Sequence, residues 1–229
     1  SRTMPFVAKV TGNQIIKAGT LLMLGYSIDE VRNKTKYLSS SSNKVAIKKA
    51  IFPWSRFPAE DTMLGPEMKA TGEVLGVGKE FGTALNKAYA AAGVEIDNKE
   101  KGIFVTLSDS EKPNFIQTVN KYLELGFTLY STEGTGKFLK TNGIDSVIVG
   151  KADDLGQTSL TIIEDKLVSL VINTPTYANE LSDGWKIRRL SHETGVAVVS
   201  SVREADAFIE AFLNQNLVLD DLEVIQDVS

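Results

Sequence analysis

The sequence predicts an α/β protein whose C-terminal part is a doubly wound, five-stranded parallel sheet, preceded by a smaller α+β unit. From Gly102 onward, short apolar runs rich in β-branched residues alternate with longer amphipathic stretches. Strict alternation of strand and helix is typical of a parallel sheet covered on both faces. Before Gly102, helical and strand patterns are interrupted by a long run rich in proline and aromatic residues. The chain is therefore expected to contain two units.

The N-terminal unit contains three segments with recognisable periodicity. Residues 12–24 have apolar side chains at helical spacing, and residues 80–92 show the same pattern followed by a glycine, so both are predicted helices. Residues 44–52 are predicted to form a strand. The preceding segment, 35–43, includes four consecutive serines and is predicted to be a surface loop.

Residues 51–76 combine aromatic, proline, glycine and charged residues more densely than an ordinary connector does. Pro53, Pro58 and Pro66 exclude a regular helix or a central strand there. Phe52, Trp54 and Phe57 would be poorly placed in a fully solvated loop. This run is therefore predicted to be a packed but irregular strap.

A polar, charged run with turn-forming residues lies at 97–102, and the boundary of the C-terminal unit is placed just before this run. Residues 111–125 are a predicted helix with Pro113 in its first turn, where proline is tolerated. The last helix starts with Ser201 and Glu204, which form a capping-box pattern. The segments 152–165 and 183–195 are weaker helical patterns. The predicted strands are residues 103–107, 127–131, 146–149, 167–172 and 196–200.

Residues that follow the predicted strands suggest an anion site, because parallel sheets bind ligands at the carboxyl ends of their strands. The turn 132–135, Thr-Glu-Gly-Thr, can cradle an anion with hydroxyls and free helix N–H groups, although a simple helix cap is an equal alternative. Lys112, Lys151 and the pair Asn173 and Thr174 follow three other strands. Lys112 would oppose the helix dipole, so an anionic partner is expected. A phosphate site is the favoured interpretation.

The amino-acid composition excludes several kinds of site and partner. The 229 residues include no cysteine, so disulfides and cysteine-ligated zinc are excluded, and a reducing cytoplasmic location is expected. A net charge of -4 with scattered lysines argues against a nucleic-acid partner. No apolar segment is long enough to predict a membrane span. The opening Ser1-Arg2-Thr3 lacks a signal-peptide pattern and suggests a piece of a longer polypeptide.

Two long sequence segments are distinctive, namely FPWSRFP at 52–58 and LGPEMKATGEV at 64–74. Together with the later Thr-Glu-Gly-Thr turn, they resemble segments of the carbamoyl-phosphate synthase large chain. The resemblance implies that 1–94 is the end of the second ATP-grasp module and that 95–229 is a methylglyoxal-synthase-like allosteric domain. The family's parent enzyme is a ligase that uses ATP with Mg²⁺ or Mn²⁺ to make carbamoyl phosphate for arginine and pyrimidine synthesis. This fragment is expected to be non-catalytic and to need no cofactor of its own.

The resemblance also implies a site for a phosphorylated effector such as UMP, IMP or a phosphoribosyl compound. Pro175 replaces a hydroxyl residue of some members, and Glu133 places a carboxylate inside the phosphate turn, where it is expected to point outward. Implied partners are the glutaminase small subunit and the remainder of the large chain, with self-association left open. The effector-binding residues that the resemblance implies are Thr106, Lys112, Thr132, Gly134, Thr135, Lys151, Asn173 and Thr174.

Ornithine activation, known in part of the family, is predicted to be absent. Lys49 occupies the position of a family carboxylate, and its charge would repel a cationic amino acid. Val198 stands in place of an aromatic residue, and Ser200 in place of a threonine, whereas Leu64 is retained.

Two alternatives to a regulatory domain stay open. One is an enzyme similar to methylglyoxal synthase, whose chemistry needs carboxylates and a histidine beside the phosphate. The single histidine, His192, falls in a predicted helix away from the strand ends and is interpreted as a packing or surface residue. Asp153 and Asp154 are interpreted as a solvated turn and Asp183 as a helix cap. Arg188 and Arg189 are interpreted as a solvated helix face, with contact to an effector or to a neighbouring subunit as the alternative. The other alternative is an interaction module that binds no ligand.

Overall fold

The computed structural model describes residues 3–35, 43–56, 62, 68–94, 96, 101–175 and 182–214. The N-terminal part begins with three helices, α1 (Thr3–Thr11), α2 (Ile15–Met23) and α3 (Ile28–Lys34). Only α2 was predicted. The start of α3 is marked by a capping box in which Ser27 Oγ accepts from Glu30 N and Glu30 Oε2 accepts from Ser27 N at 2.8 Å. This capping-box pattern is visible in the sequence, although no helix was predicted from it.

A two-stranded antiparallel sheet follows, formed by β1 (Val45–Ile51) and β2 (Gly72–Gly78). A 3₁₀ turn, Trp54–Arg56, comes directly after β1. The prediction of an irregular strap is wrong at its C-terminal end, because residues 72–76 belong to the regular strand β2. Residues 57–61 and 63–67 of the run lie outside the described residues.

Helix α4 (Phe81–Ala91) packs on both strands of this sheet. Gly76 makes the close packing possible, since a Cβ atom at this position would lie 2.0 Å from Ala84 O. Two of the three glycines that make β2 a weak strand pattern, Gly76 and Gly78, are therefore the residues that allow α4 to lie against it.

The C-terminal part contains the predicted five-stranded parallel sheet, with strand order β5-β4-β3-β6-β7. The order reverses direction between β3 and β6, which is the arrangement of a doubly wound sheet, so the predicted fold class is confirmed. The strands are β3 (Gly102–Thr106), β4 (Leu129–Ser131), β5 (Val147–Ile148), β6 (Val168–Asn173) and β7 (Ala197–Val199).

Helices cover both faces of the parallel sheet. On one face, Ile103 and Val105 of β3 pack against α5, α6 and α9, and on the other face Phe104 packs against α7 and α8. The weak helical pattern at 152–165 yields only the four-residue α7. The helices are α5 (Lys112–Glu124), α6 (Glu133–Thr141), α7 (Thr161–Glu164), α8 (Asp183–Thr194) and α9 (Val202–Leu213).

Two capping assignments differ in detail from the sequence interpretation. Ser182, and not Asp183, caps α8, because Ser182 Oγ accepts from Trp185 N at 3.2 Å. At α9, Ser201 Oγ accepts from Glu204 N as predicted, but the Glu204 carboxylate accepts from Ser200 N at 2.9 Å. The reciprocal bond is thus displaced by one residue from the capping-box pattern.

Helix α4 joins the two parts by packing against α9. Asn86 Nδ2 donates to Ala211 O at 2.8 Å and to Asn214 O at 3.0 Å. Gly82 permits the close approach, since a Cβ there would lie 2.0 Å from Glu210 O. The boundary between residues 94 and 95 stays a prediction, and residues 95 and 97–100 are outside the described ranges. In the described ranges, none of the helices combines the length and the apolar character needed to cross a lipid bilayer.

Candidate functional site

A cleft of about 570 Å³ lies at the carboxyl ends of the parallel strands. This volume is in the usual range for small-molecule sites. The cleft lies beside the point between β3 and β6 where the strand order reverses, which is where doubly wound sheets bind ligands. Its walls are formed by Thr106, Thr132, Glu133, Gly134, Lys137, Ile148, Val149, Gly150, Lys151, Asp154, Ser159, Asp183, Gly184 and Ile187.

The predicted phosphate turn forms one side of this cleft. Thr132 has an extended backbone and is the N-cap of α6, so the first N–H groups of the helix lack intrahelical partners. Gly134 is exposed, and no atom lies within 4 Å of the position that a Cβ would take there. The helix N-terminus is therefore open to a ligand and carries partial positive charge.

Two predicted binding hydroxyls are instead used inside the protein. Thr135 is buried, and its Oγ1 accepts from Leu107 N at 3.1 Å. Thr174 Oγ1 accepts from Ser108 N at 2.7 Å. Neither residue lines the cleft. Both hydroxyls bind backbone N–H groups of the loop that follows β3 and hold this loop in place beside the cleft.

Asn173 is also buried, at the end of β6, where its Oδ1 accepts from Arg188 Nη1 at 2.7 Å. The interpretation of Arg188 and Arg189 as a solvated helix face is wrong, because their exposed fractions are 5% and 7%. Arg189 Nε donates to Glu193 Oε1 at 2.6 Å. A buried guanidinium requires such partners, so both arginines are structural elements of α8.

Lys112, the first residue of α5, lies outside the cleft lining and pairs with Asp109 of the preceding loop, with 2.5 Å between Nζ and Oδ1. The hydrogen bond from Lys112 lowers the pKa of the Asp109 carboxyl below its usual value. The anionic partner expected for Lys112 is thus supplied by the chain.

Lys151 lines the cleft and is exposed, opposite the start of α6. Glu133, at the rim, is paired with Lys137 at 2.6 Å. The Lys137 hydrogen bond, and more weakly the charge of Lys151, lower the pKa of Glu133 below its usual value. Both lysines therefore place positive charge near the phosphate turn, while Glu133 is exposed as expected.

Several cleft residues were not predicted from the sequence. Asp154, interpreted as part of a solvated turn, accepts from Lys151 N at 2.7 Å through Oδ2 and so shapes the loop after β5. Asp183 and Gly184, at the start of α8, form the opposite wall together with Ser159. The sequence contained one signal for Asp183 and Gly184. They start the helical pattern that follows β6, and a helix in this place begins at the sheet edge where the parallel strands end.

His192 lies at the other end of α8, away from the cleft. Its ring is 5.8 Å from that of Trp54, which in turn stacks on Phe52. Desolvation, helped by the positive charges of Lys49 and of the two arginines of α8, lowers the pKa of His192. The described residues contain no group of three or more histidine, aspartate or glutamate side chains arranged to hold a metal ion.

Comparison with known proteins identifies relatives along most of the chain. The family described as the MGS-like domain matches residues 114–200. The carbamoyl phosphate synthase large chain, C-terminal section, of Aquifex aeolicus is 35% identical over 92% of this chain and 42% of its own length. The corresponding section of Methanocaldococcus jannaschii is 35% identical over 92% of this chain and 35% of its own length.

The large chain of Nostoc sp. is 32% identical over 99% of this chain, which covers 20% of the relative. The chain thus spans less than half the length of these curated relatives. These matches extend along the N-terminal part as well as the parallel sheet, and they agree with the resemblance found at 52–58 and 64–74. The chain is therefore homologous to the C-terminal region of carbamoyl phosphate synthase large chains and contains an MGS-like domain.

Proposed function

We propose that the chain binds a phosphorylated, nucleotide-type effector in this cleft and thereby regulates carbamoyl phosphate synthesis by a longer parent protein. The effector class comprises UMP, IMP and phosphoribosyl pyrophosphate. The observation that supports the proposal most strongly is the open N-terminus of α6 at Gly134, which lines the same cleft as the exposed Lys151. Helix N–H groups and a lysine are complementary to a phosphate.

The proposed site contains fewer residues than the site predicted from the sequence. Thr106, Thr132, Gly134 and Lys151 line the cleft and are the proposed ligand contacts. The remaining four predicted residues, Lys112, Thr135, Asn173 and Thr174, are held by bonds within the chain and are proposed to position the loops.

The parent's activity belongs to the same proposal. ATP with Mg²⁺ or Mn²⁺, the glutaminase small subunit and the remainder of the large chain would act outside this chain. We propose that the chain itself is non-catalytic, acts in the cytoplasm and carries the end of an ATP-grasp module in residues 1–94. The packing of α4 on α9 supports transmission of a signal between the two parts.

Thermal-shift titration with UMP, IMP, phosphoribosyl pyrophosphate and inorganic phosphate tests binding, because a ligand that binds the folded state raises the melting temperature. Lys151→Ala is expected to weaken phosphate-dependent binding about 10- to 100-fold, as a charge-assisted bond is lost. Lys140→Ala, on the exposed side of α6, is the matched control. Equal affinities of these two variants would place the phosphate elsewhere.

Gly134→Asp separates binding from folding. An aspartate in the first turn favours the helix, and the site has space for a side chain, so the ligand-free protein should keep its melting temperature. The added carboxylate should repel a phosphate and abolish the ligand-induced shift. Retention of the shift by this variant would contradict the proposed anion site.

A methylglyoxal-synthase-like lyase is the second candidate, because the carboxylates Asp154 and Asp183 line the cleft. The histidine that such chemistry needs is absent from the cleft, since His192 lies at the far end of α8. Incubation with dihydroxyacetone phosphate and assay of methylglyoxal distinguishes the two functions. Turnover that is lost in Asp154→Asn or Asp183→Asn would favour the lyase.

We also propose that ornithine does not bind. Lys49 Nζ lies 3.9 Å from the centre of the Tyr89 ring, where a cationic ligand would meet a like charge. Val198 lies in β7, and Leu64 is outside the described residues. Ornithine titration of wild type and of the double variant Lys49→Glu with Val198→Tyr tests this, and an ornithine-induced shift in wild type would refute it.

A further inference from the structure

One buried polar atom in the cleft wall has no hydrogen-bond partner. Ser159 lines the cleft, and its exposed fraction is 1%. The Oγ atom is buried and is neither a donor nor an acceptor in any hydrogen bond among the residues that the structure describes. Buried hydroxyls are normally paired, so an unpaired one in a ligand-sized cleft needs an explanation.

The local structure does not use this hydroxyl. Ser159 N donates to Gly150 O at 3.0 Å, and Gly150 N donates to Gln157 O at 3.0 Å, which fixes the loop between β5 and α7. The turn into α7 is held by Thr158 and Thr161, since each hydroxyl accepts from the backbone N–H of the other residue, at 2.8 and 3.2 Å. The backbone around Ser159 is therefore positioned without help from its side chain.

The location of Ser159 indicates which part of a ligand it meets. The phosphate turn starts α6, whose Leu139 packs with the core on one face of the parallel sheet. Ser159 precedes α7, whose Ile162 and Ile163 pack with Ile187 of α8 on the other face. The cleft thus extends across the sheet edge from the phosphate turn to Ser159. A ligand whose phosphate lies at α6 would place its remaining part against Ser159.

The surroundings of Ser159 suit a group that is partly apolar and partly polar. Ile187 is buried in the same wall. Gly184, which also lines it, has the polar side chains of Arg188 and Asn173 beside it, since a Cβ there would lie 3.2 Å from Arg188 Nη1. An unpaired hydroxyl beside an apolar wall discriminates well between ligands, because a ligand without a matching polar group leaves the hydroxyl unsatisfied.

We propose that Ser159 Oγ is a specificity-determining contact that hydrogen-bonds to the non-phosphate part of the effector, at a sugar hydroxyl or at the polar edge of a base. This inference rests on the proposed effector function. Ser159 is not a phosphate ligand in this arrangement. It selects, among phosphorylated compounds, those with a hydrogen-bonding group at the α7–α8 side of the cleft.

Binding of UMP, ribose 5-phosphate and inorganic phosphate to wild type and Ser159→Ala, measured by calorimetry on the 229-residue chain, tests the proposal. Loss of one hydrogen bond should weaken UMP binding about tenfold, while the affinity for inorganic phosphate stays unchanged. A parallel loss for ribose 5-phosphate assigns the contact to the sugar, and an unchanged value assigns it to the base. Either result supports the proposal.

The ligand-free protein provides a second measurement. Removal of an unsatisfied hydroxyl should leave the melting temperature of Ser159→Ala equal to or above that of wild type. Ser191→Ala is the matched control, because the buried Ser191 Oγ donates to Ile187 O at 2.8 Å. This control should melt at a lower temperature. A lower melting temperature for Ser159→Ala as well would show a structural role and overturn the proposal.

The outcomes also separate this inference from the proposed function. If wild type binds neither UMP nor the other proposed effectors, IMP and phosphoribosyl pyrophosphate, the proposed function fails, and this inference fails with it. If wild type binds UMP and Ser159→Ala binds it equally well, only the role of Ser159 is refuted. Equal weakening of UMP and inorganic phosphate would assign Ser159 to the phosphate and also refute it.

Discussion

The two β-sheets of the chain differ in how they are buried. Strands β3 and β6 of the parallel sheet are buried along nearly their whole length, with helices on both faces. Strands β1 and β2 are mostly half-exposed, and Lys48 and Glu73 form a cross-strand ion pair at 2.7 Å. The parallel sheet therefore generates its own core, whereas the antiparallel sheet depends on α4 and, through it, on α9.

The helices of the two parts show the same difference. No described residue of α1 is buried, α2 buries only Ala18 and α3 only Val31. Helix α9 buries five residues, among them Phe208 and Phe212. Since burial of apolar surface is the main stabilising contribution, the C-terminal part should determine the global stability of the chain.

The largest expected effect follows from removing a side chain at the centre of the parallel sheet. Phe104 is fully buried between α7 and α8, and Phe104→Ala should lower the free energy of unfolding by about 3–5 kcal/mol. Val31→Ala, at a buried site of the N-terminal part, should cost about 1 kcal/mol. Urea unfolding measures both values. Equal losses would contradict the difference between the two parts.

The next largest effect concerns the link between the parts. Asn86→Ala removes two hydrogen bonds that hold α4 to the end of α9, which should cost about 1–3 kcal/mol. Asn120→Ala, on the exposed face of α5, is the control and should be near neutral. Trp54 lies in the N-terminal part and Trp185 in α8. Single-tryptophan fluorescence should therefore show the Trp54 region of Asn86→Ala unfolding before the Trp185 region.

A smaller effect on stability is expected from His192, whose ring lies next to that of Trp54. The pKa of His192 is lowered in the folded state, so the unfolded chain binds more protons below the ordinary value of 6.5. Stability should therefore fall as the pH decreases from 6.5 towards 4. Because the ring is partly open to solvent, the contribution is about 1 kcal/mol or less. His192→Gln should reduce this pH dependence, and an unchanged profile would exclude His192 as its source.

The smallest effect is expected at Lys49, whose pKa is lowered by burial despite the opposing influence of Glu204. Lys49→Met keeps the apolar stem and removes a partly desolvated charge, so stability at pH 7 should equal or exceed that of wild type. In wild type, stability should rise as the pH increases towards 10.5, because the folded state loses its proton first. Thermal melts between pH 8 and 10 should show a weaker rise in the variant.

The parallel sheet was predictable because its strands are short, continuous apolar runs separated by helices of ordinary length. Strand β2 was not, because Gly72, Gly76 and Gly78 give it a poor strand pattern. The reason for Gly76 is the close approach of α4. Such a contact between segments is not visible in local periodicity.

The candidate site was predictable only as a set of loops. The sequence locates the residues that follow each strand, but not the direction in which a short hydroxyl side chain turns. Thr132 and Thr135 are three residues apart, yet the first lines the cleft and the second bonds to Leu107 N. Arg188 is buried with a hydrogen bond to Asn173, fifteen residues away, and the local sequence around Arg188 does not predict such a contact.

The packing of α4 has a consequence for how this domain could be exchanged between proteins. Leu85 belongs to the core cluster of the parallel sheet, and the Tyr89 ring lies 4.8 Å from that of Phe208 in an edge-to-face arrangement. A transplant that began at residue 95 would remove both side chains and leave apolar surface of α9 facing solvent. Recombination that preserves this domain should therefore carry α4 along with it, as if the helix were the domain's own first element.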